Sequence, residues 1–332
     1  LDSLTLVMRW WNIGELDGGS FQMGGRNFDL TTQYLNPEDV RPGASWANFK
    51  HFRVDPDPDQ VPTEGAVTDT TVQSLDNTVV NDVFYVIANE LGQNFYTRKN
   101  GNWTDLDVWS TEDYGGPPIT NPPFYPQEVT HEAFIGNSNT VTLNEAYINV
   151  RSVNVQNAAA GPGALLAEDN FIDGLNFTLE DSCYFGTKNR DGIRISANAG
   201  SILTDNRNYG IAHYLYYSDA EDQRCGDGLI GEILSLYIDN HTYTTTLNAP
   251  INIYHNITID TSIFDAGNRN IDLHGNFIIT DQAAFIPTTA QVSFIGDLSQ
   301  EMRLSDPRGI DFYSLAINKP SSTVTISGDA DD

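Results

Sequence analysis

Residues 251–279 read INIYHNITIDTSIFDAGNRNIDLHGNFII, and the fold turns on the spacing of their apolar side chains. Ile251 and Ile253, Ile257 and Ile259, Ile271 and Leu273, and Phe277 and Ile279 form pairs two residues apart. Successive side chains of a strand point to opposite faces, so each pair marks a short strand with one buried face. Asn, Asp and Gly lie between the pairs, where the chain must turn. The same bursts recur upstream at Val141/Leu143, Ile148/Val150 and Val153/Val155, and downstream at Val292/Phe294, Leu315/Ile317 and Val324/Ile326. Helical periodicity is nearly absent. Residues 81–91 (NDVFYVIANEL) combine an Asn cap with an apolar run, but Val83, Tyr85 and Ile87 alternate, and the segment reads as a strand.

The bursts are shorter and closer together than the strands of an ordinary sandwich, which leaves no room for long crossovers. They suggest an all-β, right-handed parallel β-helix, a solenoid whose inward Val, Ile, Leu and Phe side chains form columns along its axis. With about 20 to 25 residues per coil, residues 138–332 would give about eight coils and a rod about 40 Å long. A Greek-key sandwich is the structural alternative.

The 332 residues carry 17 Lys+Arg against 45 Asp+Glu, a formal net charge of −28. Nucleic acid and anionic membrane would both repel such a surface, and no basic stripe offsets the repulsion. No window approaches the 18 apolar residues of a membrane span, and the start, Leu1-Asp2-Ser3-Leu4, has neither an initiator Met nor a leader pattern. The expectation is a mature product or an internal fragment. Scarce Lys with abundant Asn, Thr, Asp and Gly fits a turn-rich β protein working outside cells. The two cysteines, Cys183 and Cys225, leave two readings open. Paired, they would stabilise the fold by about 4 kcal/mol through loop closure; otherwise they are two buried thiols.

Four segments are expected. Residues 1–54, with Trp10, Trp11, Phe21, Phe28, Trp46 and Phe49, form a less regular N-terminal β block. Its Gly25-Arg-Asn-Phe-Asp-Leu30 echoes Gly267-Asn-Arg-Asn-Ile-Asp-Leu273, as the tail of earlier coils would. Residues 55–98 are an acidic, Pro-rich linker followed by a strand. Residues 99–137 are a Trp-containing cap segment, and residues 138–332 are the β-helix.

Gly101-Asn-Trp103-Thr-Asp105-Leu-Asp-Val-Trp109-Ser resembles the G-x-W-x-D-x-x-x-W-S opening of repetitive β-helical regions in large surface and secreted proteins of Bacteroidota, exported by the type IX secretion system. The likeness continues in order through residues 246–260, Phe264-Asp-Ala-Gly267, residues 271–277, Val292-Ser-Phe-Ile-Gly296, Gln300 and residues 312–318. It covers about residues 99 to 332 and is strongest from 245 onward. The resemblance implies an elongated extracellular module, with the type IX machinery as its partner during export and surface glycans or neighbouring surface proteins as its contacts. Physically, Phe312, Leu315 and Ile317 should point inward, each worth about 1.5 to 3 kcal/mol when buried. Asn318 and Gly296 should occupy left-handed corners. Trp103 and Trp109 should cap the stack and cover its unpaired edge.

Chemistry is harder to find. A polysaccharide lyase or hydrolase needs convergent carboxylates with a basic partner or a calcium ion. The acidic groups fall in loops: Asp55/Asp57/Asp59, Glu168/Asp169/Asp173, Asp219/Glu221/Asp222/Asp227 and Asp329/Asp331/Asp332. Arg224 lies within the third group, and Arg190 stands beside Asp191. Residues 55–59 alternate like a calcium loop, but Pro56 and Pro58 stiffen them, and a solvated loop is the better reading. Residues 218–228 are the better candidate for Ca²⁺, with Asp219, Glu221, Asp222 and Asp227 near two glycines. His131-Glu132 begins like a zincin motif, but Ile135 stands where the second histidine belongs. No other histidine pair has ligand spacing, and neither a Gly-x-Ser-x-Gly elbow nor a phosphate-cradling loop occurs.

Asn102, Asn176, Asn240 and Asn256 head N-x-Thr triplets, which in a bacterial protein are ordinary turn and strand residues. Asp2-Ser3-Leu4 and Asp69-Thr70-Thr71 resemble bacterial O-glycosylation sites, with Ser3 and Thr70 as acceptors. The leading expectation is a non-catalytic stalk or adhesin for gliding or surface attachment; the alternative is a carbohydrate-active enzyme or glycan-binding module. A flank groove lined by several carboxylates and an Arg would favour the enzyme, and a plain Asn/Thr flank the stalk.

Overall fold

The computed structural model describes residues 93–120, 125–196, 199–229, 231–280, 282–305 and 309–328, together with seven strand paths before residue 93. The chain divides into two compact units, Leu1–Gly92 and Gln93–Asp332. All regular structure among the described residues is β.

In the first unit the strands pair antiparallel. Thr5–Ile13 and Phe49–Val54 flank Val83–Asn89, and Phe28–Gln33 and Thr63–Val67 flank Thr71–Asn77. This antiparallel pairing differs from the parallel stacking of the second unit. The stretch expected as a linker supplies the strands Pro58–Gln60, Thr63–Val67 and Thr71–Asn77. The segment at 81–91 is a strand, Val83–Asn89.

The second unit is a parallel β-solenoid. Its longest sheet stacks ten strands, from Gly101–Asn102 to Val324–Gly328, which at the usual strand spacing is about 43 Å. Residues Val141, Leu165, Phe185, Tyr214, Leu236, Ile257, Phe277 and Met302 occupy one position in successive coils, and all are buried. Each coil thus adds one rung to an apolar column, and each rung contributes about 1.5 to 3 kcal/mol by burial. From Gln223 onward the coils have three short strands, and two five-stranded sheets complete the cross-section.

Asparagine side chains reinforce the ladder between coils. Asn256 Oδ1 accepts from the Asn276 amide at 2.9 Å, and Asn276 Oδ1 accepts from the Glu301 amide at 2.8 Å. Asn240 is fully buried, its Nδ2 donating to the carbonyls of Glu221 at 3.3 Å and Thr244 at 3.4 Å. These side chains satisfy backbone groups where the chain leaves the sheet.

The early coils bend where the sequence shows two separate bursts. Tyr147–Val155 and Phe171–Leu179 are single nine-residue strands whose pairing skips Arg151 and Leu175. Their inward alternation changes phase at that point, so that Ser152 and Val153 are both buried. Gly174 sits at the bend with φ 131°, and a Cβ there would lie 1.7 Å from the Val150 carbonyl oxygen, so no other residue fits.

Corners later in the chain use left-handed residues other than glycine. His241, Thr261 and Gln282 adopt φ 48°, 49° and 60° after strands of the ten-stranded sheet. Gly296 and Asn318 are not left-handed. Gly296 is required instead by proximity, since its Cβ would meet the His274 carbonyl oxygen at 2.5 Å. Asn318 continues the ladder, its amide donating to the Phe294 carbonyl at 2.9 Å.

The two ends of the described stack differ. Trp103 and Trp109 are fully buried in a T-shaped contact with centroids 5.1 Å apart. Trp103 Nε1 donates to the Pro126 carbonyl at 2.8 Å, and Trp109 Nε1 donates to the Trp103 carbonyl at 2.7 Å. The strand Trp109–Ser110 pairs antiparallel with Asn94–Thr97 and so covers the first edge of a neighbouring six-stranded sheet. At the other end Phe312 packs partly against the core, but Leu315 and Ile317 are 41% and 59% exposed. Their register with Val292 and Phe294 places them correctly in the columns. No further coil lies over them among the described residues, so the inward position is not a buried one.

Candidate binding groove

The outer face of the ten-stranded sheet carries two rows of side chains, each row taking one residue per coil. Register aligns Thr140, Ala164, Tyr184, His213 and Ser235 in one row, and Thr142, Leu166, Gly186, Leu215, Tyr237 and Thr258 in the other. Outward positions of a solvated sheet are ordinarily small and polar, which holds for Thr140, Thr142 and Thr258. In the middle of the stack they become aromatic and aliphatic. There a groove of about 840 Å³ runs along the face, lined by Leu166, Tyr184, Gly186, His213, Leu215 and Tyr237 and bounded by Ser138 and Thr258 towards its ends.

Gly186 lies under the floor of the groove. A Cβ at this position would come within 2.7 Å of Leu166 Cδ2, 3.0 Å of Tyr217 Cε1 and 3.4 Å of Leu215 Cδ2, so the neighbouring side chains close over the place where another residue would project. One wall is a series of rings. Tyr184 stacks on His213 with centroids 4.3 Å apart and planes 10° apart, and His213 lies 5.7 Å from His255. Tyr184 remains 45% exposed, presenting ring surface to the groove. Desolvation, with a smaller contribution from His255, lowers the pKa of His213 and favours the neutral imidazole.

The lining residues include no Asp, Glu, Lys or Arg. Two carboxylates are engaged by Tyr217, which packs against Gly186, and by Tyr237 of the lining. Tyr217 Oη donates to Glu168 Oε1 at 2.9 Å, and Lys188 Nζ pairs with Glu168 Oε2 at 2.8 Å while lying 5.4 Å from the Tyr217 ring centroid. Tyr237 Oη donates to Asp260 Oδ2 at 2.8 Å, and Thr280 donates to the other oxygen of Asp260. Burial and these carboxylates raise the pKa of both phenols, which stay protonated donors.

The sequence-based candidates are dispersed. Asp219 is exposed, Glu221 lies 3.7 Å from Arg190, and Asp222 Oδ1 accepts from the Thr244 amide at 2.9 Å. Asp227 accepts from Arg194 Nε and from the Ile195 amide, each at 3.0 Å, and from the Ser196 hydroxyl. Desolvation raises its pKa, but the Ile195 amide and the Arg194 guanidinium outweigh that and hold it below the ordinary value. Asp227 therefore ties the loop around residue 195 to the following coil. Among the described residues no group of three His, Cys, Asp or Glu side chains is placed to hold a metal ion.

Cys183 and Cys225 are both free and buried, so the bridge is not formed and the thiol reading stands. Burial pushes the Cys183 thiol up to about 11 and raises Cys225 as well. His131 is a buried core residue packed on Phe95, with its Nδ1 accepting from the Gln127 amide at 3.1 Å. Ser3, Thr70 and the Asp55/Asp57/Asp59 and Asp329/Asp331/Asp332 carboxylates lie outside the described residues.

Sequence reasoning missed Tyr184, His213 and Gly186. The step from Phe185 to Tyr214 is 29 residues, against 20 from Leu165 to Phe185, so no constant period aligns the outward rows. The available signal was the replacement of outward Thr, Ser and Asn by Leu166, Tyr184, His213 with Leu215, and Tyr237 in four consecutive coils. No protein-family model, curated protein or solved structure matches this chain.

Proposed function

We propose that this chain is a non-catalytic, elongated segment of a secreted or cell-surface protein exported by the type IX system, serving as a stalk or adhesin in surface attachment or gliding. The observation that carries the reading is the ten-stranded ladder from Gly101–Asn102 to Val324–Gly328, which builds a rod from its own core. Rod-like repeats hold a binding surface away from its base, and the net charge of −28 keeps such a surface soluble and discourages pairing of coil edges. The likeness of residues 99–332 to exported β-helical regions supports the address.

Protease treatment of intact cells of the source organism tests this. Loss of the protein from the cells, or its recovery from the medium, together with weaker surface attachment after gene deletion, is the expected result. Retention inside protease-treated cells would overturn the reading. The groove also bears on the glycan-binding alternative, because its lining offers rings and hydroxyls in place of the carboxylate pair and Arg that a glycosidase or lyase of the expected kind would show.

A further inference from the structure

We infer that the groove over Leu166, Gly186 and Leu215 binds a neutral oligosaccharide, which packs against the exposed part of the Tyr184 ring. The inference deepens the adhesive reading by naming a ligand class, and takes its biological sense from it. The chemistry rests on the groove alone.

Shape comes first. The groove follows the solenoid axis from the strand Thr140–Thr142 to the strand Ile257–Ile259, which are six rungs of the sheet and about 24 Å at normal strand spacing. That is a trough for a chain of rings, not a hole for one small molecule. The contacts come next. A pyranose presents a flat face of C–H groups and an equatorial rim of hydroxyls, and so needs an apolar plane beside scattered hydrogen-bonding groups. Tyr184 offers an apolar ring, backed by His213 at 4.3 Å, while Leu166 and Leu215 close over Gly186 as the apolar floor. Ser138, Thr140, Ser235, Asn256, Thr258 and the Tyr237 hydroxyl are the polar groups around it.

Charge then narrows the class. The lining carries no ionised side chain, and the molecule as a whole is strongly acidic, so uronates and sulfated glycans are repelled with no local cation to hold them. A cationic ligand would lack a carboxylate inside the groove. An extended peptide is disfavoured for another reason. A peptide that docks by strand addition needs a free edge, but every strand under this groove is paired on both sides, so that mode is closed. A neutral glycan, recognised through side chains only, satisfies all these conditions.

The test is isothermal titration and affinity electrophoresis of the protein with neutral oligosaccharides from mixed-linkage β-glucan, mannan and galactan, with polygalacturonate as the charged control. Binding to at least one neutral probe is expected, with little dependence on salt. Tyr184→Ala should weaken it about tenfold, and Tyr184→Phe should keep it. Because Tyr184 is half exposed, its variants should keep the wild-type melting temperature and circular dichroism, which separates lost binding from lost folding. Failure of all three neutral probes to bind, unaltered binding by Tyr184→Ala, or binding of polygalacturonate alone would overturn the inference. Any of these with a protease-sensitive surface location would leave the stalk reading standing.

Discussion

Phe277, Met302 and Ile326 occupy the same position in three successive coils, yet the first two are buried and the third is 67% exposed. Trp103 and Trp109, at the other end of the described stack, are fully buried beneath the chain around Pro126. Locally the two regions both turn apolar side chains inward, from short strands at Phe277, Met302, Ile326 and Trp109 and from a turn at Trp103. They differ in what lies above the rung. In a solenoid, burial belongs to a pair of neighbouring coils, so one sequence pattern produces a dry core in one place and exposed apolar surface in another.

The largest test of this contrast is Trp103→Ala. It removes a fully buried indole and the bond to Pro126, and should lower stability by about 3 to 5 kcal/mol in denaturant titration. Phe294→Ala should cost a similar amount, while its column neighbour Ile317→Ala should stay within about 0.5 kcal/mol. Equal losses at Phe294 and Ile317 would mean that the last rung is covered in solution and would break the contrast.

A second measurement probes the sealed end through pH. His131 is held at about 4 by desolvation, below its ordinary 6.5. Its Nδ1 accepts the Gln127 amide, an arrangement that requires the neutral ring. The folded state therefore takes up this proton less readily than the unfolded chain. The stability tied to neutral His131 is full above about 6.5 and is lost as pH falls from there towards about 4, by up to about 3 kcal/mol. His131→Gln should flatten that part of the stability profile. An unchanged profile would show that Glu128, 3.5 Å from Nε2, compensates the burial.

The smallest expected effect concerns the interior. Because Cys183 and Cys225 are separate buried thiols, a reductant should leave the unfolding midpoint unchanged. A fall in the midpoint would reveal a bridge that tightens the middle coils relative to both ends.

The core was largely legible in the sequence, because period-two pairs such as Ile257/Ile259 and Val292/Phe294 state their own inward faces and are buried as read. The cap was legible too, since two tryptophans six residues apart have few places to go other than an end. The turns were less so. Gly and Asn take left-handed positions at Asn137, Gly226 and Gly267 as expected, but His241, Thr261 and Gln282 take them too, where stacking fixes the backbone. For the calcium candidate, closeness in sequence and closeness in space part company. Corner geometry turns Glu221, Asp222 and Asp227 towards Arg190, Thr244 and Arg194 in turn.

The amino-acid sequence by itself determined an all-β chain, short strands, an inward apolar column and an acidic exterior. Each of these follows from the identity of residues one or two apart, which local sterics and the aversion of apolar groups for water are enough to decide. Only the tertiary structure decided which rungs are covered, where the nine-residue strands change phase, and how Leu166, Tyr184, Gly186, Leu215 and Tyr237 meet on one face. Those outcomes depend on inter-coil register, and register is set by the length and path of the intervening loops. A step of 29 residues between Phe185 and Tyr214 aligns His213 with Tyr184 as firmly as a step of 20 would, and nothing in the local pattern announces it.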